Sequence, residues 1–144
     1  MKIQQVVGIA FIENNKLLIA QSVKSSKTNS YTFIGGGVEE GESLIEAAMR
    51  EVQEEIHNGF TITPEELDLV LTFREHAASD PNKIIEMNIF VAKKKIDVPL
   101  TTNEEIIDYH WYTPFDEKYH VSSSIYDHFL PYAIENGLLQ VMEK

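Results

Sequence analysis

Residues 36–55 read GGVEEGESLIEAAMREVQEE, and this stretch sets the reading of the whole chain. Gly36, Glu42, Arg50-Glu51, Val52 and Glu54-Glu55 follow the spacing Gly-x5-Glu-x7-Arg-Glu-apolar-x-Glu-Glu. From Leu44 to Ile56 there is no Gly or Pro, and strong helix formers dominate, so the spacing predicts a helix. Ser43 is placed to cap it, with Gly41 breaking the chain just before. At about 100° per residue, Ile45, Met49, Val52 and Ile56 form one apolar stripe with Ala48 at its edge. Glu51, Glu54 and Glu55, spaced i, i+3, i+4, share a second face on which their carboxylates converge and repel.

Between Glu39 and Glu55 lie seven Glu and a single Arg. Taken alone, an acidic helix in an acidic protein is a solvated face. The glycines change that balance. Gly35-Gly36-Gly37 follow a strand-like Tyr31-Thr32-Phe33-Ile34, and glycine allows a backbone to approach a ligand closely. Carboxylate oxygens suit hard divalent cations such as Mg²⁺ or Mn²⁺, which share their remaining positions with water and substrate phosphates. A glycine loop, a helix and a carboxylate cluster together describe a metal–diphosphate site.

This pattern resembles the signature box of the Nudix hydrolases, the MutT-like enzymes that cut nucleoside diphosphates linked to another group. The resemblance implies a loop–helix–loop holding divalent cations, with Glu51, Glu54 and Glu55 as metal ligands and Glu51 or Glu55 assisting deprotonation of water. It implies that Glu42 lies near the metals or orients the loop, that Arg50 pairs with a box glutamate, and that the Gly35 carbonyl is a backbone ligand. The chain departs from the family after Ile56, where His57-Asn58 stand in place of Gly and an apolar residue and Gly59-Phe60 follow. Ile34 stands where a proline is frequent. His57, alone at a helix end, is expected to meet terminal carbonyls or solvent rather than a metal.

Outside the box, Tyr31, Phe33, Phe73, Tyr109 and Trp111 are candidates for stacking on a base. Lys24, Lys27 and Arg74 are candidates for phosphate contact. Glu104 and Glu105, in a loop before a strand, correspond to a region where relatives carry a further metal ligand or base; Glu86 is a weaker candidate.

Twelve basic against 23 acidic side chains give a formal net charge of −11, which opposes binding to a nucleic acid polymer. There are no cysteines, which excludes a disulfide framework and thiol catalysis. The opening MKIQQVVGIAFIENN lacks the apolar run of a signal peptide or membrane span, so a cytoplasmic protein without membrane association is expected. The length of 144 residues, without repeats or linkers, fits one domain over residues 1–144.

The pattern predicts strands at 4–12, 16–21, 31–34, 67–74, 84–92 and 106–112. It predicts a polar loop at 22–30, loops at 77–82 and 101–105, and a C-terminal helix at 123–136 ending at Gly137, with Pro131 kinking or splitting it. This order is α/β or α+β; with the resemblance it becomes an α/β/α sandwich, a mixed sheet between the box helix and a C-terminal helix. The function implied is hydrolysis of a phosphoanhydride in a small-molecule nucleoside diphosphate derivative, with a nucleoside triphosphate as the default substrate. A nucleotide-sensing module on the same fold and a plain acidic metal-binding domain are the alternatives. The resemblance also admits a homodimer.

Overall fold

The computed structural model describes residues 2–77 and 80–141. β1 (Lys2–Ala10) is central. It pairs in parallel with β6 (Asp80–Ala92) and antiparallel with β4 (Ile34–Gly37), while β5 (Leu67–Ala77) pairs antiparallel with β6 on the far side. The resulting mixed sheet runs β4-β1-β6-β5. A second, antiparallel sheet holds β2 (Ile12–Glu13), β3 (Lys16–Ser22) and β7 (Ile106–Tyr112) in the order β2-β3-β7. The single sheet expected is thus two, joined where Ala20 bridges Thr32.

Side-chain alternation makes two cores. On one face of the mixed sheet, Val7, Ile9, Ile34 and Phe90 meet Ala47, Ala48, Val52 and Ile56 of helix α2 (Leu44–Ile56). On the other, Phe33 and Ile89 meet Ile125, Phe129, Leu130 and Ala133 from the C-terminal helical run. This is the α/β/α layering expected.

Several boundaries differ from expectation, each for a local reason. The glycines are themselves the strand: β4 is Ile34–Gly37, and Tyr31 and Thr32 make only isolated bridges. Within 22–30, Val23–Ser26 form a short helix (α1) capped by Ser22, whose hydroxyl accepts from the Ser25 N–H. β5 runs on to Ala77, which pairs with Asp80; Ala78 and Ser79, part of the loop expected at 77–82, lie outside the described residues. Pro81 is tolerated in β6 because β1 begins to pair only at Lys83, so no central-ladder donor is lost there.

The C-terminal run is split as Pro131 suggested. Ser124–Phe129 take a π-helical turn and α3 (Leu130–Glu135) carries Pro131 in its first turn, where the missing N–H costs nothing. It stops at Gly137, whose φ is +75°. No helix among the described residues is long and apolar enough to cross a membrane.

Candidate active site

α2 begins with a reciprocal cap: the Ser43 hydroxyl accepts from the Glu46 N–H (3.1 Å), and the Glu46 carboxylate accepts from the Ser43 N–H (2.9 Å). The helix is rolled relative to the expected stripe. Ala47, Ala48, Val52 and Ile56 are fully buried, whereas Ile45 and Met49 are only half-buried at the margin of the core. The roll carries Glu51 and Glu55 beneath the sheet, where each is only 7 % exposed.

β4 makes room for them. A β-carbon on Gly36 would sit 2.7 Å from Oε1 of Glu51, so a side chain there would push that carboxylate aside. The Gly35 N–H donates to Glu55 Oε1 at 2.9 Å, and Gly35 itself is locked at φ +155° against the Val7 carbonyl, which a side chain there would strike. On the far side of Glu55, its backbone carbonyl accepts from the Tyr109 hydroxyl on β7.

Arg50 organises the rest. Its guanidinium makes a fork with Glu42 (2.7 and 2.9 Å), reaches Glu51 (2.7 Å) and donates to the Gly37 carbonyl (2.9 Å). Glu54 is 3.4 Å from the same guanidinium and largely in solvent. The three box carboxylates therefore differ in burial. Two are buried together, one is exposed, and a cation of the chain itself stands among them. Among the described residues no group of three His, Asp or Glu side chains is already drawn together for a metal.

The electrostatics follow from this geometry. Burial, and then the negative charges of Glu51 and Glu105, push the Glu55 carboxyl up to about 9, against the opposing pull of the Gly35 N–H. Burial also raises Glu51, with Arg50 working against it. Hydrogen bonding to Arg50 holds Glu42 down at about 2. Two buried carboxylates that are reluctant to ionise side by side form a site for added positive charge.

A cavity of about 360 Å³ opens beside the box, lined by Glu54, His57, Asn103, Glu104 and Glu105. The structure thus brings Glu104 and Glu105 to the box helix. The departure at His57-Asn58 accounts for this. A ring nitrogen of His57 lies 2.6 Å from the Thr101 carbonyl, and the Asn58 amide donates to the Pro99 carbonyl (2.8 Å) and Thr101 Oγ1 (2.9 Å). His57 therefore meets a carbonyl of the facing loop, not one of its own helix. Both residues have positive φ (+44° and +54°), as does Gly59 (+81°), so the lengthened turn is wound to reach that loop.

The other candidates are spread out. Val23 N–H donates to the Glu105 carbonyl (3.0 Å), which sets exposed Lys24 near the acidic loop. Phe73 and Arg74 point to opposite faces of β5: Phe73 stacks on His128 (3.9 Å, 8° between planes), and Arg74 is paired with Glu86 at 2.7 Å. Tyr31 donates to Asp108 and is buried with Phe33 and Val121, away from the box carboxylates. Trp111 packs at the edge of the α2-side core.

Other residues with a part to play escaped the sequence reading. Glu75 accepts from both Ser123 (2.7 Å) and Ser124 (2.9 Å), fastening β5 to the π-helical turn beside the Phe73–His128 stack. Asn88, 2 % exposed, donates to Gln5 Oε1, and Gln5 in turn donates to Glu86. Asn103 Oδ1 accepts from the Glu105 and Ile106 N–H groups, shaping the acidic loop; Asn just before the Glu pair was the one signal in the sequence.

The NUDIX domain family profile matches residues 2–131. The chain belongs to the NUDIX family. As a NUDIX protein it is a hydrolase acting on pyrophosphate bonds in nucleoside diphosphate derivatives, a family chemistry that generally uses divalent metals. Solved structures agree on the fold. The ORF135 protein of E. coli is 22 % identical, with 95 % of this chain and 94 % of that one covered and a TM-score of 0.72. The MutT protein of Methanosarcina mazei Go1 is 24 % identical over 94 % and 96 %, also at 0.72. A MutT NUDIX hydrolase of Burkholderia pseudomallei is 15 % identical over 94 % and 98 %, at 0.70. No curated protein matches this sequence.

Proposed function

We propose that this NUDIX domain, extending over residues 1–144, is a divalent-metal-dependent pyrophosphohydrolase of a nucleoside triphosphate. The observation that carries the metal site is the Glu51–Glu55 pair, two carboxylates buried under the glycine strand. The donor set fits a hard cation, since it is all oxygen and already crowded with negative charge. Glu51 and Glu55 would hold Mg²⁺ or Mn²⁺, with Glu54 and the Gly35 carbonyl completing the set. Bound there, the ion supplies charge neutralisation for the diphosphate and acidifies water.

The chain's own groups do the rest. Arg50 and Glu42 fix the loop and the orientation of Glu51. The Gly35 N–H holds Glu55 in place. Glu105, whose charge acts on Glu55, and Glu104 share a cavity with Glu54 beside the box helix and would serve as proton acceptors there. On the substrate side, Phe73 with His128 offers a flat surface for a base, and Lys24 and Arg74 supply positive charge for phosphates.

The test is release of pyrophosphate or phosphate with Mg²⁺ or Mn²⁺ across nucleoside triphosphates, oxidised triphosphates, ADP-ribose, nucleotide sugars and dinucleoside polyphosphates. Turnover of triphosphates that Glu55→Gln abolishes supports the proposal. Turnover confined to another class overturns the substrate; nucleotide binding without turnover of any class points instead to a sensing module.

A further inference from the structure

We infer that a second cavity, walled by residues 112–127, binds a small organic cation with an apolar body, such as a quaternary ammonium group. The cavity has a volume of about 470 Å³ and shares no lining residue with the box. Tyr112, which lines it, is three positions along β7 from Tyr109, whose hydroxyl meets the Glu55 carbonyl, or on the order of 10 Å at the rise of a strand, so the cavity opens past the box and not at its carboxylates.

Its walls are aromatic and its polar groups acidic. Phe115 and Tyr126 supply open rings, Tyr119 having the His110 ring stacked on it at 3.7 Å, and Asp116, Glu117 and Asp127 supply carboxylates. No Lys or Arg lines it. Phe115 and Tyr126 are 39 % and 51 % exposed and meet edge to face at 5.5 Å, forming a lip of large apolar side chains open to solvent. Phe115 stands at φ +62°, a left-handed conformation that a bulky residue rarely adopts, and it is this conformation that a tight turn after β7 imposes while the ring is kept at the lip.

Aromatic faces attract cations through the ring quadrupole, and carboxylates nearby add to the attraction. The chain shows the effect on the same wall: the Lys118 ammonium lies 5.8 Å from the centre of the Tyr119 ring. An anionic nucleotide would be repelled by three carboxylates, and a neutral apolar ligand would gain nothing from them. A cation whose charge is spread over methyl groups satisfies rings and carboxylates together.

The experiment is an NMR titration of the intact chain with choline, and with the uncharged isostere in which a quaternary carbon replaces the nitrogen. Saturable choline shifts confined to residues 112–127 are expected, with weak or no response to the isostere. Tyr126→Ala and the double variant Asp116→Asn/Asp127→Asn should each weaken choline binding about tenfold, their spectra elsewhere showing the same fold. Neither variant touches the box, so basal hydrolysis should stay unchanged. No saturation up to about 10 mM choline, equal response to the isostere, or binding indifferent to both variants would overturn the inference.

Discussion

Gly36 and Glu51 are a matched pair: the carboxylate of Glu51 occupies the space that any side chain at position 36 would need, with a β-carbon falling 2.7 Å from its Oε1. The backbone of Gly36 has no positive φ, so the demand is for space and not for conformation. Gly36→Ala should displace Glu51 and lower kcat by about 100-fold, the scale of an ångström-sized misplacement at a reacting centre. Gly59 is the converse, with φ +81° and nothing within 4 Å of a β-carbon. Gly59→Ala should cost about 1 kcal/mol of stability and leave kcat unchanged. Steady-state kinetics and thermal melts of the two variants distinguish them; equal effects on kcat would contradict the account.

Glu55 makes the stability of the metal-free chain depend on pH. Its carboxyl titrates at about 9 in the folded protein, against an ordinary value of 4.5, so the folded state holds a proton that the unfolded state has lost. The contribution is full below the unfolded value and is lost as pH rises from there through about 9. Melting in the presence of EDTA should therefore fall between pH 5 and 9. Glu55→Gln should flatten that slope, and Mg²⁺ should restore stability most at the alkaline end, because binding displaces the proton. An unchanged slope in Glu55→Gln would assign the effect elsewhere.

Arg50 cannot be replaced by another cation. It contacts Glu42 through two nitrogens and reaches Glu51 and the Gly37 carbonyl at the same time, which a lysine ammonium cannot do from one point. Arg50→Lys should lower kcat about 100-fold with only a small change in KM. Glu42, held at about 2 by this fork, keeps its contribution above its ordinary pKa and loses it only as pH falls toward 2. Kinetics of Arg50→Lys near neutral pH check the claim; retention of wild-type kcat would remove the guanidinium from its positioning role.

Phe73 and His128 lie nearly parallel at 3.9 Å, next to the clamp of Glu75 on Ser123 and Ser124. With a base stacked on this surface, Phe73→Ala should raise KM about tenfold and change kcat little, since one base–aromatic stack is worth about 1–3 kcal/mol. Phe73→Tyr should keep the affinity. A loss of kcat at constant KM would mean that the ring serves packing alone.

The sequence by itself determined the box helix, its Ser43 cap, the presence of a carboxylate cluster behind three glycines, and the family. These rest on local physics: helix propensity, capping and the i, i+3, i+4 spacing are properties of neighbours along the chain. Only the tertiary structure decided which carboxylates are buried. Ile45 and Met49 and the pair Ala47 and Val52 all read as apolar on the wheel, and the roll of α2 is chosen by the glycine strand it packs on. That roll puts Glu51 and Glu55 under the sheet and leaves Glu54 in solvent. The same holds for the meeting of Glu105 with the box, made by His57 and Asn58 gripping a loop some forty residues on, and for the aromatic cavity at 112–127. Burial and long-range contacts are set by how surfaces fit across the sheet, and no spacing along the chain encodes them one residue at a time.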